Sequence, residues 1–146
     1  MTVIDIHTHT YSLDADALVR GRYDPGSLPY QRDMGEDSKA RDVLEIKRIA
    51  PKFRNLEARL ADMDAMGADM QVVIPAPGQQ HYWAEPELCT ALSRIQNDHV
   101  ATMIAGNAER FVGLGTLPMP DVPAAIAGPR APSRTSGCAA SRSIRA

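Results

Sequence analysis

Aromatic residues are scarce in this chain, 5% of the total, and cysteine is scarcer still, with only Cys89 and Cys138. Two thiols cannot build a disulfide framework, which excludes the small cross-linked secreted scaffolds. Cys89 follows Leu88 in a helix-like stretch and reads as a small buried thiol, not a reactive one. No apolar run approaches the roughly 20 residues needed to span a bilayer, so no membrane partner is expected. The N-terminus carries neither the basic nor the apolar block of a secretory signal, and a cytoplasmic address is the expectation. A net charge of −2 gives no reason to expect a nucleic-acid partner. What is present is globular: 44% hydrophobic and 23% charged residues in 146, enough chain to bury one core.

The charge is unevenly spread. Residues 128–146 hold Arg130, Arg134, Arg142 and Arg145 and no acid, so removing those four positive charges from −2 leaves −6 for residues 1–127. This composition, mostly Ala, Ser, Pro and Gly, divides the chain into a body, 1–127, and an aberrant tail, 128–146. The tail reads as either frameshifted or natively disordered. Shifted by one base, with permitted codons, it can encode a continuation of the preceding helix, a glycine turn and a further strand.

Along the body, Thr2 to Ile6 alternates β-branched residues with Asp5 and predicts a short buried strand. From Thr10 to about Pro51 no period is sustained, which predicts a long loop with one short helix near Asp42 to Ile49. Leu56, Leu60, Met63 and Met66 then recur at helical spacing, with charge on the other face and Gly67 at the C-cap position. Met70 to Ile74 predicts a strand, stopped by Pro75 and Pro77. A helix starting near Pro86 carries Leu88, Leu92, Ile95, Met103 and Ile104. Phe111 to Leu117 predicts a third strand, and Asp121 caps a third helix. Strands alternating with helices predict an α/β fold with a parallel sheet. Gly113 and Gly115 share one strand face, which anticipates close approach by another backbone or a ligand.

The chemistry sits at the start. His7 and His9 are two apart on a strand, so both imidazoles leave the same face and can share one divalent metal ion. Asp5 is expected on that face too, one step deeper. Two donors cannot complete a centre, since zinc takes three or four protein ligands. His99 falls inside the second helix and reads as a packing or surface residue. His81 reads as a loop residue packing beside the aromatics, and Trp83 as packing as well. Arg20, Arg22, Tyr23, Tyr30 and Arg32 in the polar loop could meet a carboxylate bidentately, although such arginines are usually solvated.

Ile4-Asp5-Ile6-His7-Thr8-His9 resembles the first strand of the amidohydrolase superfamily. The likeness extends through Arg59 to Val72, Tyr82 to Leu88, Arg94 to Asp98 and Arg110 to Pro118. Together these resemble the amidohydrolase-related branch typified by amino-carboxymuconate semialdehyde decarboxylase. The resemblance implies the first three βα units of an incomplete TIM (β/α)8 barrel, which takes about 250 residues when whole. It implies a metal-dependent decarboxylase (carboxy-lyase) or hydrolase of a small carboxylic acid, with His7 and His9 as ligands of a divalent metal, Zn2+ in most members. The family's other ligands, two histidines and an aspartate, lie on later strands. A chain lacking them would be inactive alone, and an open three-stranded piece would expose an apolar edge. A homo-oligomer stays open.

Two alternatives stand beside this reading. Polymerase-and-histidinol-phosphatase-type phosphoesterases also open on His-x-His, but with a Ser-Asp-Gly-like turn soon after. Here Tyr11-Ser12-Leu13-Asp14 follows instead. The other alternative is a non-catalytic α/β interaction fragment.

Overall fold

A strand that returns through a helix re-enters its sheet in the same direction, and this chain does so twice. In the computed structural model, which describes residues 1–24 and 28–128, the elements begin with β1 (Ile4–Thr10). Next come α1 (Leu13–Val19), α2 (Pro29–Arg32), α3 (Glu36–Arg54) and α4 (Leu56–Met66). After β2 (Met70–Pro75) and a 3-10 turn at Pro77–Gln79 follow α5 (Pro86–Ala105), β3 (Phe111–Gly113) and α6 (Val122–Ala127). The sheet order is β1-β2-β3 with both pairings parallel, the expected α/β arrangement. The reading of 128–146 as an aberrant tail, Cys138 included, lies outside the described residues but for Gly128. No helix among the described residues is long and apolar enough to cross a membrane.

α4 forms where its sequence signals place it. Asn55 accepts the Ala58 N–H at 3.0 Å as N-cap. At the other end Gly67 takes φ 71°, a left-handed conformation that costs other residues energy. The Gly67 N–H then reaches Asp64 and the Ala68 N–H reaches Met63, the paired bonds of a Schellman ending. Met63 and Ala68 are both buried in the main core with Val73, Val100, Ile104 and Phe111, which joins α4, β2, α5 and β3. Each fully buried large side chain there stabilises the fold by about 1.5–3 kcal/mol. A second cluster packs Ala15 of α1 on Ala84, Leu88 and Leu92 of α5. Cys89 is buried at 2% exposure, and Asp121 caps α6 through the Ala124 N–H, both as the sequence indicates.

Four expectations need correction. The predicted loop from Thr10 to Pro51 is largely helical, and α3 runs 19 residues. No described residue of α3 is buried, although Val43, Ile46, Ala50 and Phe53 recur at helical spacing along it, and the short helix expected near Asp42 to Ile49 lies within it. It is held by good helix formers and by pairs such as Glu36–Lys39 and Glu45–Arg48, both 2.8 Å. The expected third strand ends at Gly113. Beyond Leu114 the chain is held by α5, with the Thr116 N–H on Asn97 Oδ1 at 2.8 Å.

The close approach at the glycines comes from side chains of α5, not from a backbone or a ligand. A Cβ on Gly113 would stand 2.5 Å from Val100 Cγ1 and closer still to Ile104, and one on Gly115 2.9 Å from Asn97 Oδ1. Lastly, β1 is not a buried strand. It has only β2 beside it among the described residues, so Ile4 and Ile6 are 50% and 72% exposed.

Candidate metal centre

β1 is not a regular ladder. Asp5 pairs with Gln71 and Thr8 with Val73, so three steps on β1 match two on β2 and one extra residue is taken up as a bulge. The bulge decides which way the side chains point. His9 pairs with Ile74, three residues along β2 from Gln71, and residues three apart on a strand face opposite sides. Asp5 therefore lies on the face opposite His9, contrary to the expectation that it would sit beneath the pair. Simple alternation along Asp5, His7 and His9 misses this.

The two imidazoles do converge. His7 Nε2 and His9 Nε2 are 3.2 Å apart, with ring centroids 5.0 Å apart and planes at 85°. In one tautomer this is an N–H···N hydrogen bond. The same span is what two nitrogens on one zinc require, because Zn–N distances of roughly 2.0–2.1 Å at a tetrahedral angle put the nitrogens ~3.3 Å apart. His9 Nδ1 is buried without a hydrogen-bond partner. Burial, and then the charge of His7, hold the His9 ring below its ordinary pKa. The Ile74 backbone is the one group pulling the other way, and it does so without a well-formed hydrogen bond. Burial and the His7 charge both favour the neutral imidazole, the form a metal ligand takes. Among the described residues no group of three His, Cys, Asp or Glu could hold a metal ion, so the pair stands as two donors.

The remaining candidates lie elsewhere. His99 Nε2 is hydrogen-bonded to Thr10 Oγ1 at 2.9 Å. His81 lies 5.4 Å from Trp83, whose ring meets Tyr23 edge-on at 4.7 Å. Burial lowers the pKa of both His81 and His99. Arg20 pairs with Asp16, Arg32 with Asp33, and the Tyr23 hydroxyl donates to Glu85. Arg22 borders an open hollow of about 570 Å³ with Tyr23 and Glu85. Of Tyr30, its place in α2 is described.

Two features escaped the sequence reading. A cavity of about 630 Å³ lies beyond the C-terminal ends of β1 and β2, lined by Tyr11, Phe53, Arg54, His81 and Trp83 among others. The Arg54 guanidinium sits 5.2 Å above the Tyr11 ring. Tyr11 itself is pushed up to about 12 by burial and by its hydrogen bond to Asp16. Arg59 is the second. It is 6% exposed on α4, three residues after Leu56 and four before Met63, inside the stripe read as apolar. A charge at a stripe position was the available signal.

No family model matches the chain. The chain is 29% identical over 119 residues to 2-amino-3-carboxymuconate-6-semialdehyde decarboxylase of Dictyostelium discoideum, covering 80% of this chain and 33% of that protein. The solved structure of 5-carboxyvanillate decarboxylase from Sphingomonas paucimobilis matches with a TM-score of 0.62 and 30% identity, over 85% of this chain and 37% of that one. The 5-carboxyvanillate decarboxylase of Novosphingobium aromaticivorans, solved with manganese and 4-hydroxy-3-methoxy-5-nitrobenzoic acid, matches with a TM-score of 0.56 at 24% identity over 80% and 34%. The fold is that of the N-terminal part of a TIM barrel. In sequence and structure the chain is similar to the amidohydrolase-superfamily decarboxylases, and it spans about a third of the length of the curated relatives it matches.

Proposed function

We propose that the chain supplies the first-strand ligands, His7 and His9, of a divalent metal centre in a decarboxylase of small carboxylic acids. The observation that carries this is the 3.2 Å approach of two Nε2 atoms on a parallel strand, toward the end where barrel enzymes keep their chemistry. Decarboxylation is preferred to hydrolysis because the relatives matched over most of this chain are decarboxylases. They are not phosphoesterases, which removes the ground for the histidinol-phosphatase-type alternative. Zn2+ fits two imidazole nitrogens, and manganese is the ion named with a neighbour of the same fold.

When bound, such an ion supplies Lewis acidity and lowers the pKa of attached water. The residues of this chain hold and orient. His7 and His9 present ring nitrogens, and burial holds the pKa of His9 below its ordinary value. Tyr11 and Arg54 border the cavity beyond the C-terminal ends of β1 and β2, where a guanidinium is suited to a substrate carboxylate. The further donors that such a centre needs come from outside the described residues, and turnover depends on them.

Equilibrium dialysis with Zn2+ and with Mn2+ tests the centre. One ion per chain is expected, held loosely by two imidazoles and lost in both His7→Ala and His9→Ala. Equal binding by the doubly substituted chain would overturn the assignment. Release of carbon dioxide from aromatic and enoic acids tests the reaction. One observation favours a second reading, a non-catalytic interaction fragment: the exposed Ile4 and Ile6 on an edge strand. Concentration-dependent self-association abolished by Ile6→Lys, with no metal bound, would favour it.

A further inference from the structure

The side of β1 away from the imidazoles carries a continuous set of hydrogen bonds that the proposed centre leaves unexplained. Arg59 of α4 donates through Nη2 to the carbonyl oxygen of His9 and through Nη1 to Thr8 Oγ1 at 3.4 Å and Gln71 Oε1 at 3.1 Å. Its Nε donates to the Lys52 carbonyl, which fixes the plane of the guanidinium. Gln71 Nε2 donates to Asp5 Oδ2 at 3.3 Å, and Asp5 Oδ1 accepts the backbone N–H of His7 at 3.2 Å. One end of this set therefore holds the main chain of His7, inside the bulge, and the other the main chain of His9, just beyond it. Arg59 and Gln71 are both 6% exposed, where water cannot replace a lost hydrogen bond.

We infer that Arg59, Gln71 and Asp5 are positioning residues that fix the bulge and so set the aim of the His7 and His9 rings. The inference rests on the metal-site reading above, though its geometry is defined without an ion. A bulged strand has an unpaired residue and a choice of local paths. Grips on the His7 N–H and the His9 carbonyl remove that choice, because each ring follows its own Cα. β1 needs such support, since β2 is the only strand beside it among the described residues.

A polarity swap tests this on the whole chain. Gln71→Glu sets a second carboxylate against Asp5 and removes the donated bond. It is expected to lower affinity for cobalt(II), the probe ion, by about tenfold or more, the usual effect of losing a group behind the ligands. In the metal-free protein the nuclear Overhauser contact between the two imidazoles should vanish. Adding Asp5→Asn restores a donor–acceptor pair and should restore both readouts, which a merely structural role would not do.

Arg110→Lys is the control. It disturbs an exposed side-chain clasp on the Asp69 carbonyl and the Asp64 carboxylate, leaves in place the Arg110 carbonyl that accepts the Gln71 N–H, and should move neither readout. If Gln71→Glu does not fold, Gln71→Met carries the same expectation of loss and Arg59→Lys that of a smaller one. Ring contact and affinity within about twofold of the unsubstituted chain, failure of the double substitution to restore them, or an equal loss in Arg110→Lys would each overturn the inference. A chain that shows the ring contact and its loss on Gln71→Glu, yet binds no cobalt, would sink the metal reading and leave the positioning role standing.

Discussion

Residues 56–113 and residues 36–54 are both rich in helix, yet they are held in different ways. In the first stretch α4 and α5 turn Met63, Leu92, Val100 and Ile104 inward, each at 2% exposure or less. In the second, α3 has no fully buried residue, Ile49, Ala50 and Phe53 being half-buried, and Val43, Leu44 and Ile46 stand 53%, 66% and 49% exposed. A helix without a packed face depends on propensity and surface pairs, each worth tenths of a kcal/mol, whereas a packed one draws on burial worth several. The difference teaches that helical content and stability are separate quantities in this chain.

The largest expected effect breaks that comparison outright. Phe111→Ala should lose about 3–5 kcal/mol in urea denaturation, while Leu44→Ala on α3 should stay within roughly 0.5 kcal/mol. Near-equal losses would refute the contrast. Next comes Gly113→Ala, whose added methyl meets Val100 and Ile104. It should cost about 1–3 kcal/mol by overpacking, and a Val100→Ala companion should recover part of it.

A smaller, graded loss should follow pH. Burial depresses the folded-state pKa of His81 and of His99, with Asp16 and Asp14 opposing. Between those depressed values and the unfolded value of about 6.5 the unfolded chain binds more protons. Their contribution is thus present above that pH and lost as pH falls through the folded values. Melting temperatures should drop on acidification below neutrality, and less so in His99→Gln. The smallest effect is Glu45→Ala. The pair it breaks with Arg48 is largely exposed, so about 0.3–0.5 kcal/mol is expected, confined to α3 and erased by high salt.

The same contrast explains what could be read beforehand. α4, β2 and α5 were legible because burial imposes periodicity, and α6, which buries nothing, because Asp121, like Gly67 and Pro86, sits at a helix end where backbone groups need partners. Of α3 only the short helix near Asp42 to Ile49 was read, since a helix with no buried face gives a weak signal of its length. The convergence of His7 and His9 followed from their spacing. The place of Asp5 did not, because a bulge arises from pairing with Gln71, 66 residues away, and local alternation carries no trace of it. Arg59 was hidden by the reading that put the charge of α4 on the face away from Leu56, Leu60, Met63 and Met66.

The extra residue in β1 also bears on how the segment tolerates shortening. Ordinarily, removing one residue from a strand inverts every side chain downstream. Here Thr8 already faces Val73 and His9 already faces Ile74, so excising Ile6 would straighten the detour without shifting either partner. At this one spot the sheet carries slack, and a codon could be dropped without turning the imidazoles inside out.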